Sequence, residues 1–392
     1  MMYKIKAIDQ LFFRSGTPFE ANGETHLIQS FFPPLPSTYA GALKAFAVDK
    51  ESKHALKIGY NGVMHDKEFC FPKPFDITVT KEHCCVKNEN EEKYYDLETM
   101  KLMSSPPSNF QLPYCLAPEY KNSKKVKSPD DIYLKQQDLQ RYLNGEEGVM
   151  AGSSLSNHLH KEKKIGIRTN SKTKEEDDGM LYQIEMCRPD DKLQLAVEVK
   201  GIEIDEAKSI RLGGEGKVAT VVKPKEKSEE KLEITKIESD SKYFKIYLAT
   251  PAIFGKGWLP KWIDEETMIG SFSGKNKKKI KVKLIAATVD RFVPVGGFGQ
   301  EKEEGKFQPR EMRYAVPSGS VYYFEILNGT FQDAVSLFHQ KCISDYRLNY
   351  GFEYIEPRFD RLIYCDRGFG YSMVGSLSKK QEEDLKCLKK KG

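Results

Sequence analysis

Ile210-Arg211-Leu212-Gly213-Gly214-Glu215-Gly216-Lys217-Val218 lies a little past the middle of a 392-residue chain, and the residues on either side of it read as two versions of one plan. Each half opens on a β-like run, passes through helix and hairpin signals, and closes on a glycine-rich turn holding a basic residue. The stretch just quoted closes the first half, and Arg367-Gly368-Phe369-Gly370-Tyr371-Ser372-Met373-Val374-Gly375 closes the second. Glycine has no Cβ to hold a ligand off the backbone and tolerates positive φ, so several N–H groups can converge on one anion. Arg211, Lys217 and Arg367 add charged donors, and phosphate is the guest such turns suit best. A plain tight connection uses the same residues. Neither turn fits a nucleotide motif: Arg211 and Val218 break G-x-x-x-x-G-K-[ST], and Met373 breaks G-x-G-x-x-G.

Working outward from the first turn, Tyr3 to Ile8 predicts an opening strand, continued by Leu11-Phe12-Phe13. In Ser30-Phe31-Phe32-Pro33-Pro34-Leu35-Pro36-Ser37-Thr38 the prolines hold the chain extended, and Ser37 or Thr38 is placed to cap a helix reaching about Lys50. Tyr39, Leu43, Phe46 and Ala47 share one face of that helix, which packs on a sheet. Gly41 within it hints at a close backbone or ligand approach. Residues 51–179 read as a partly ordered insertion, with a basic stretch from Lys121 to Lys127 and another from Lys161 to Asn170 that includes Arg168. Met180–Cys187 and Leu193–Val199 predict a hairpin around Pro189-Asp190-Asp191, and Asp205–Ile210 a short helix leading into the glycine turn. Val218–Val222 then completes the order β, α, β, β, α, β, the split βαβ or ferredoxin-like arrangement.

The second half repeats this order. Phe244, Ile246 and Leu248 alternate with Tyr243, Lys245 and Tyr247, and Ala252-Ile253-Phe254-Gly255-Lys256-Gly257-Trp258 adds a further glycine pair around Lys256. Ile280, Val282 and Leu284 alternate with Lys279, Lys281 and Lys283, which gives a strand one basic face. Val321–Leu327 predicts a strand, and Thr330-Phe331-Gln332-Asp333 a capping-box start to a helix reaching about Arg347. No clear first helix exists here, because Pro260 interrupts Trp258–Glu266. The expectation is an α+β protein of two ferredoxin-like (RRM-like) domains. The first spans 1–225 with the insertion at about 51–179, the second 240–377, and a frayed lysine-rich tail covers 378–392.

Lys and Arg exceed Asp and Glu by enough to give a formal net charge of +5, compatible with a polyanion partner if the charge is sorted onto one face. Eight cysteines without C-x-x-C spacing point to a reducing compartment. With no apolar run of about 18 residues and no leader-like amino terminus, the chain reads as cytoplasmic, with no membrane partner. His83-Cys84-Cys85 and His158-x-His160 are too small for a four-ligand zinc site, so neither a metal nor another cofactor is expected. His26 is the one candidate catalytic residue: a neutral imidazole could take the proton of a ribose 2′-hydroxyl while Lys44 or Arg211 steadies phosphate.

Four blocks carry a family resemblance: Ser30 to Lys44 with its prolines and Gly41-Ala42-Leu43; Leu212 to Lys217; Val316-Pro317-Ser318-Gly319-Ser320-Val321-Tyr322-Tyr323-Phe324; and the terminal Gly-Phe-Gly turn. Together, and in this order, they resemble the RAMP superfamily, and within it the family of third subunits of the type III-B CRISPR Cmr effector complex. The resemblance implies two ferredoxin-like domains that grip the repeat-derived 5′ tag of a CRISPR RNA in antiviral defence. It also implies a large polymerase-like subunit and neighbouring RAMP subunits as partners, with catalysis residing elsewhere in the complex. Related guide-processing RAMP proteins use a histidine, which keeps a metal-independent endoribonuclease acting through His26 as the alternative. For a single-stranded tag, Lys44, Arg168, Arg211, Lys217, Lys256 and Arg367 supply phosphate contacts, and Gly213, Gly214, Gly216, Gly368 and Gly370 supply bare amides. Phe254, Trp258 and Tyr371 are candidates for base stacking.

Overall fold

The structure, a computed structural model, describes residues 1–14, 16, 27–47, 55–87, 90–106, 111–119, 129–169, 176–204, 207–224, 232–235, 237–274, 278–300, 307–309, 311–345 and 363–391. It is a strand-rich α+β protein organised on a ten-stranded and a six-stranded sheet. Across the first sheet the strands run Lys208–Arg211, Val218–Val222, Met2–Ala7, Leu193–Lys200, Lys57–His65, Glu68–Pro72, Ile132–Lys135, Met150–Ser154, Asn90–Thr99 and Ile77–Lys87. Across the second they run Ile269–Ser273, Lys279–Thr288, Val321–Asn328, Tyr243–Leu248, Tyr371–Gly375 and Lys341–Cys342.

Period-two alternation decides which face of each strand is buried. Tyr3 and Ile5 on Met2–Ala7 join Leu195, Val197, Ala219 and Val221 under helix α1 (Pro36–Leu43), whose Tyr39, Ala40 and Leu43 complete that core. Ile280, Val282 and Leu284 do the same in the second sheet, beneath Phe331, Val335 and Phe338 of a helix that starts at Phe331. That start is the expected capping box, with the Thr330 hydroxyl accepting from the Asp333 N–H and the Asp333 carboxylate from the Thr330 N–H.

Several elements depart from the sequence reading. Helix α1 begins at Pro36, capped by Leu35 with no side-chain hydrogen bond, and tightens into a 3₁₀ turn at Lys44–Phe46. Proline at the first helical position, where no N–H is needed, makes a Ser or Thr cap dispensable. Among the described residues nothing lies within 4 Å of where a Cβ at Gly41 would stand. The segment 51–179 supplies six strands of the first sheet, from Lys57–His65 through Met150–Ser154, together with helix α2 (Gln136–Leu143). Hairpins within it, such as Lys57–His65 with Glu68–Pro72 and Ile77–Lys87 with Asn90–Thr99, extend the sheet outward from Leu193–Lys200.

The strands expected to form a hairpin around Pro189 do not pair. Glu176–Pro189 joins Leu159–Thr169 and Leu27–Gln29 in a three-stranded sheet, while Leu193–Lys200 lies between Met2–Ala7 and Lys57–His65. Between them Asp190 accepts from the N–H groups of Lys192 and Leu193 and bonds His158 at 2.8 Å, making a corner between two sheets. No helix leads into the glycine turn, because Lys208–Arg211 is a strand antiparallel to Val218–Val222. In the second half, helix α3 (Phe331–Phe338) stops well short of Arg347 and is followed by the strand Lys341–Cys342. The lysine-rich tail forms helix α4 (Lys379–Lys391), docked through fully buried Leu385 and through Gln381, which donates to the Met100 carbonyl and the Tyr323 hydroxyl.

One apolar core runs through both sheets, joining Tyr60, Phe71 and Leu134 of the first to Tyr247, Tyr322 and Met373 of the second. Asp76 is fully buried there and accepts from the hydroxyls of Tyr142 at 2.7 Å and Tyr323 at 2.5 Å. Lys245, also buried, places its ammonium 3.4 Å from the centroid of the Tyr142 ring.

Candidate nucleic-acid interface

The first glycine turn is the tip of the hairpin made by Lys208–Arg211 and Val218–Val222, at the edge of the ten-stranded sheet. The Leu212 N–H donates to the Lys217 carbonyl at 2.9 Å, and the Gly214 N–H donates to the Phe12 carbonyl at 2.8 Å, which fastens the turn to Leu11–Phe13. At Gly213 φ is +83°, and a Cβ would collide with the Phe12 carbonyl oxygen, so only glycine fits. Arg211, Glu215 and Gly216 are exposed and Lys217 is half-buried. Among the described residues neither Arg211 nor Lys217 has an ion-pair partner. Glu215, not legible in the sequence as part of the site, is exposed at the tip of the turn, where its carboxylate weakens the pull on an anion.

Other cations lie along the same edge. Lys208 sits 5.9 Å from the Phe46 ring centroid, bringing the end of α1, where Lys44 is exposed, beside the hairpin. Lys44, Arg211 and Lys217, drawn from separate stretches of sequence, thereby share one margin of the sheet. Arg168 lies on the strand Leu159–Thr169, but its side chain is outside the described residues, as are His26 and Lys121–Lys127.

The second glycine turn is a joint instead of a cradle. Gly368, Phe369 and Gly370 are buried, and their N–H groups donate to the carbonyls of Cys365, Tyr364 and Pro251. The Gly368 carbonyl accepts from Asn61 Nδ2 at 3.1 Å and Thr250 Oγ1 at 2.8 Å. Gly368 and Gly370, expected to offer bare amides, therefore have none to offer. Arg367 is half-buried and bridges Ile58 backbone to backbone, while Lys57 pairs with Asp366 at 3.4 Å. Asn61, the residue that holds this turn, was not legible as such in the sequence. A methyl group at position 368 would meet the Gly59 carbonyl oxygen at 2.9 Å, at a φ of +88° that disfavours any side chain. Gly368→Ala is expected to cost about 1–3 kcal/mol in urea unfolding. Gly216→Ala, in open space, is expected to cost about 1 kcal/mol from its backbone conformation alone. Equal costs at the two sites would contradict the assignment of one turn as joint and the other as surface.

Lys256 is engaged internally, its Nζ donating to the Ile263 carbonyl at 3.1 Å and pairing with Glu265 at 3.4 Å. Of the stacking candidates, Phe254 and Tyr371 are buried, whereas Trp258 is 37% exposed and lies parallel to Tyr322. Among the described residues no group of three or more His, Cys, Asp or Glu is arranged to hold a metal. His65 and His158 stack at 3.8 Å, and burial, together with the neighbouring His158, lowers the His65 pKa. The stacked pair braces the corner at Asp190, which bonds His158.

The sequence matches the family model described as CRISPR-associated protein (Cas_Cmr3) over residues 3–372. No curated protein matches it. Among solved structures, it is similar to a chain of the type III-B Cmr-beta complex bound to cognate target RNA, solved by cryo-EM. The identity is 16%, covering 82% of this chain and 86% of that one, with a TM-score of 0.44. The same complex with target RNA and AMPPnP, state 1, gives 16% identity, the same coverages and a TM-score of 0.45. A chain of the Csm3-Csm4 subcomplex of the type III-A CRISPR-Cas interference complex, a crystal structure, gives 12% identity, coverages of 85% and 95%, and a TM-score of 0.31. No helix among the described residues is long and apolar enough to cross a membrane. The family model spans nearly the whole sequence, and it is the family that the proline-rich block and the glycine turns resemble: the chain belongs to the CRISPR-associated Cas_Cmr3 family.

Proposed function

We propose that the chain is a non-catalytic RNA-binding subunit of a type III-B CRISPR Cmr surveillance complex, gripping the 5′ repeat-derived tag of the CRISPR RNA and docking on the large polymerase-like subunit. The observation that carries this reading is the exposed glycine turn with Arg211 and Lys217 free of intramolecular ion pairs among the described residues, in a member of this family. A guanidinium and an ammonium beside a turn seated by Phe12 suit the phosphates of a single strand. The strand order supports two ferredoxin-like units. Val218–Val222, Met2–Ala7, Leu193–Lys200 and Lys57–His65 are adjacent and antiparallel, as are Tyr371–Gly375, Tyr243–Leu248, Val321–Asn328 and Lys279–Thr288. Among the described residues the helix following the first strand is seen in the first unit, as α1, and the helix following the third strand in the second, as α3. Phe292 and Tyr314, exposed with ring centroids 4.4 Å apart, suit a protein contact and support docking on a neighbouring subunit.

Arg211→Ala and Lys217→Ala are each expected to weaken binding of tag RNA and to lower the slope of log K against log salt by about 0.7 per lost phosphate contact. Fluorescence anisotropy over a salt series measures both, and an unchanged slope in both variants would overturn the reading. Incubating the wild type with repeat RNA in the presence of a chelator tests the non-catalytic role. Cleavage products that disappear in His26→Ala would establish the endoribonuclease instead.

A further inference from the structure

The strand Lys279–Thr288 carries Lys279, Lys281 and Lys283 on one face, while Ile280, Val282 and Leu284 on the other are buried. Lys279 and Lys281 are exposed and Lys283 is half-buried. Directly across the ladder, Ser273 faces Lys279 and Ser271 faces Lys281, with Asn328 opposite Lys281 on the other side. The acid nearest in register is Glu325 opposite Lys283, and it is held by Lys389 of α4 at 2.6 Å. Among the described residues none of the three lysines has an ion-pair partner.

Alternate residues of a strand stand about 6.6 Å apart, so the row presents ammonium groups at a spacing comparable with that of successive phosphates along an extended nucleic-acid strand. Ser271, Ser273 and Asn328 stand beside the charges on the neighbouring strands as neutral donors. Protection of a sheet edge does not account for the row. The edge strand here is Ile269–Ser273, which carries no lysine, and the charged strand lies one position in. A protein partner is a poor fit too, because lysine is depleted at the centres of protein interfaces and this row has no aromatic anchor.

We propose that Lys279, Lys281 and Lys283 form a second RNA track, a sequence-independent seat for the sugar-phosphate backbone of single-stranded RNA, separate from the glycine hairpin. It shares only the ligand class with the function proposed above, and it adds a surface on the opposite half of the chain.

The test replaces all three lysines with glutamine in the full chain and measures binding of labelled oligouridylate across a salt series. The expected result is a fall of about 2 in the salt slope, from three phosphate contacts at about 0.7 each. The triple arginine variant is expected to keep the wild-type slope. So is a charge-matched control in which the exposed Lys6, Lys192 and Lys242 become glutamine. A slope unchanged in the glutamine variant overturns the track. If Arg211→Ala still lowers the slope in that experiment, the hairpin reading survives alone. A fall of the same size in the control also overturns it, since net charge alone would then be responsible. Loss of polyglutamate binding with oligouridylate binding intact would identify an acidic protein surface and equally overturn the RNA assignment.

Discussion

Asp76→Ala is expected to destabilise the protein by about 3–5 kcal/mol, the largest effect of any single substitution considered. Asp76 is fully buried where the two sheets meet, and its Oδ2 accepts from Tyr142 and Tyr323, one from each half of the chain. Its Oδ1 has no hydrogen-bond partner among the described residues, which makes the carboxylate dependent on these two hydroxyls and on the buried ammonium of Lys245. Alanine strips both tyrosines of their acceptor and leaves the lysine without its counter-charge, and unpaired buried groups cost more than the contacts they once made contributed. Asp76→Asn keeps an acceptor and is expected to lose less. Urea unfolding of the two variants checks this, and a cost under about 1 kcal/mol for alanine would mean that water reaches the site.

The second large effect is a dependence on pH that belongs to Lys245. Burial pulls its pKa down to about 8 from 10.5, with Asp76 opposing the shift. Below pH 8 the lysine holds its proton in both the folded and the unfolded chain, and the burial penalty is fully present. Between about pH 8 and 10.5 the folded chain has released the proton while the unfolded chain still binds it, so stability rises with pH over this window. Above it both are neutral and the gain is complete, on the order of 3 kcal/mol. Buried Tyr142 and Tyr323, whose pKa values are raised by burial, act in the opposite sense above pH 10, because the unfolded chain loses those protons first. The clean observable is the difference between wild type and Lys245→Met, in which the tyrosines cancel. That difference is expected to move in the wild type's favour as pH climbs from 7 to 10.5, and parallel stability curves would refute the assignment.

What the sequence revealed was mostly local. Alternation at Tyr3 and Ile5, and again at Ile280, Val282 and Leu284, named strands and their buried faces, and the Thr330 capping box placed the start of α3 at the correct residue. Choice of partner was less legible. Glu176–Pro189 and Leu193–Lys200 have the alternation and the turn chemistry of a hairpin, but nothing within them specifies that the first pairs back on Leu159–Thr169 while the second lies between Met2–Ala7 and Lys57–His65. The short helix expected over Asp205–Ile210 gives way to a strand at Lys208–Arg211, because four residues are too few to show a period. The glycine turns make the same point at the level of the site. Both are glycine-rich and basic, yet one is a surface hairpin and the other is enclosed, since exposure depends on partners such as Asn61, 307 residues away from Gly368.

The Gly368 carbonyl takes one donor from Asn61 in the ten-stranded sheet and another from Thr250 beside the six-stranded one. Sheets fastened at this oxygen as well as at Asp76 and through a shared core have no hinge there: tilting either breaks a buried bond that water cannot replace. A ligand that spanned both halves, as the proposed RNA would, meets a surface whose shape is set before the encounter, and the flexible partner must do the bending.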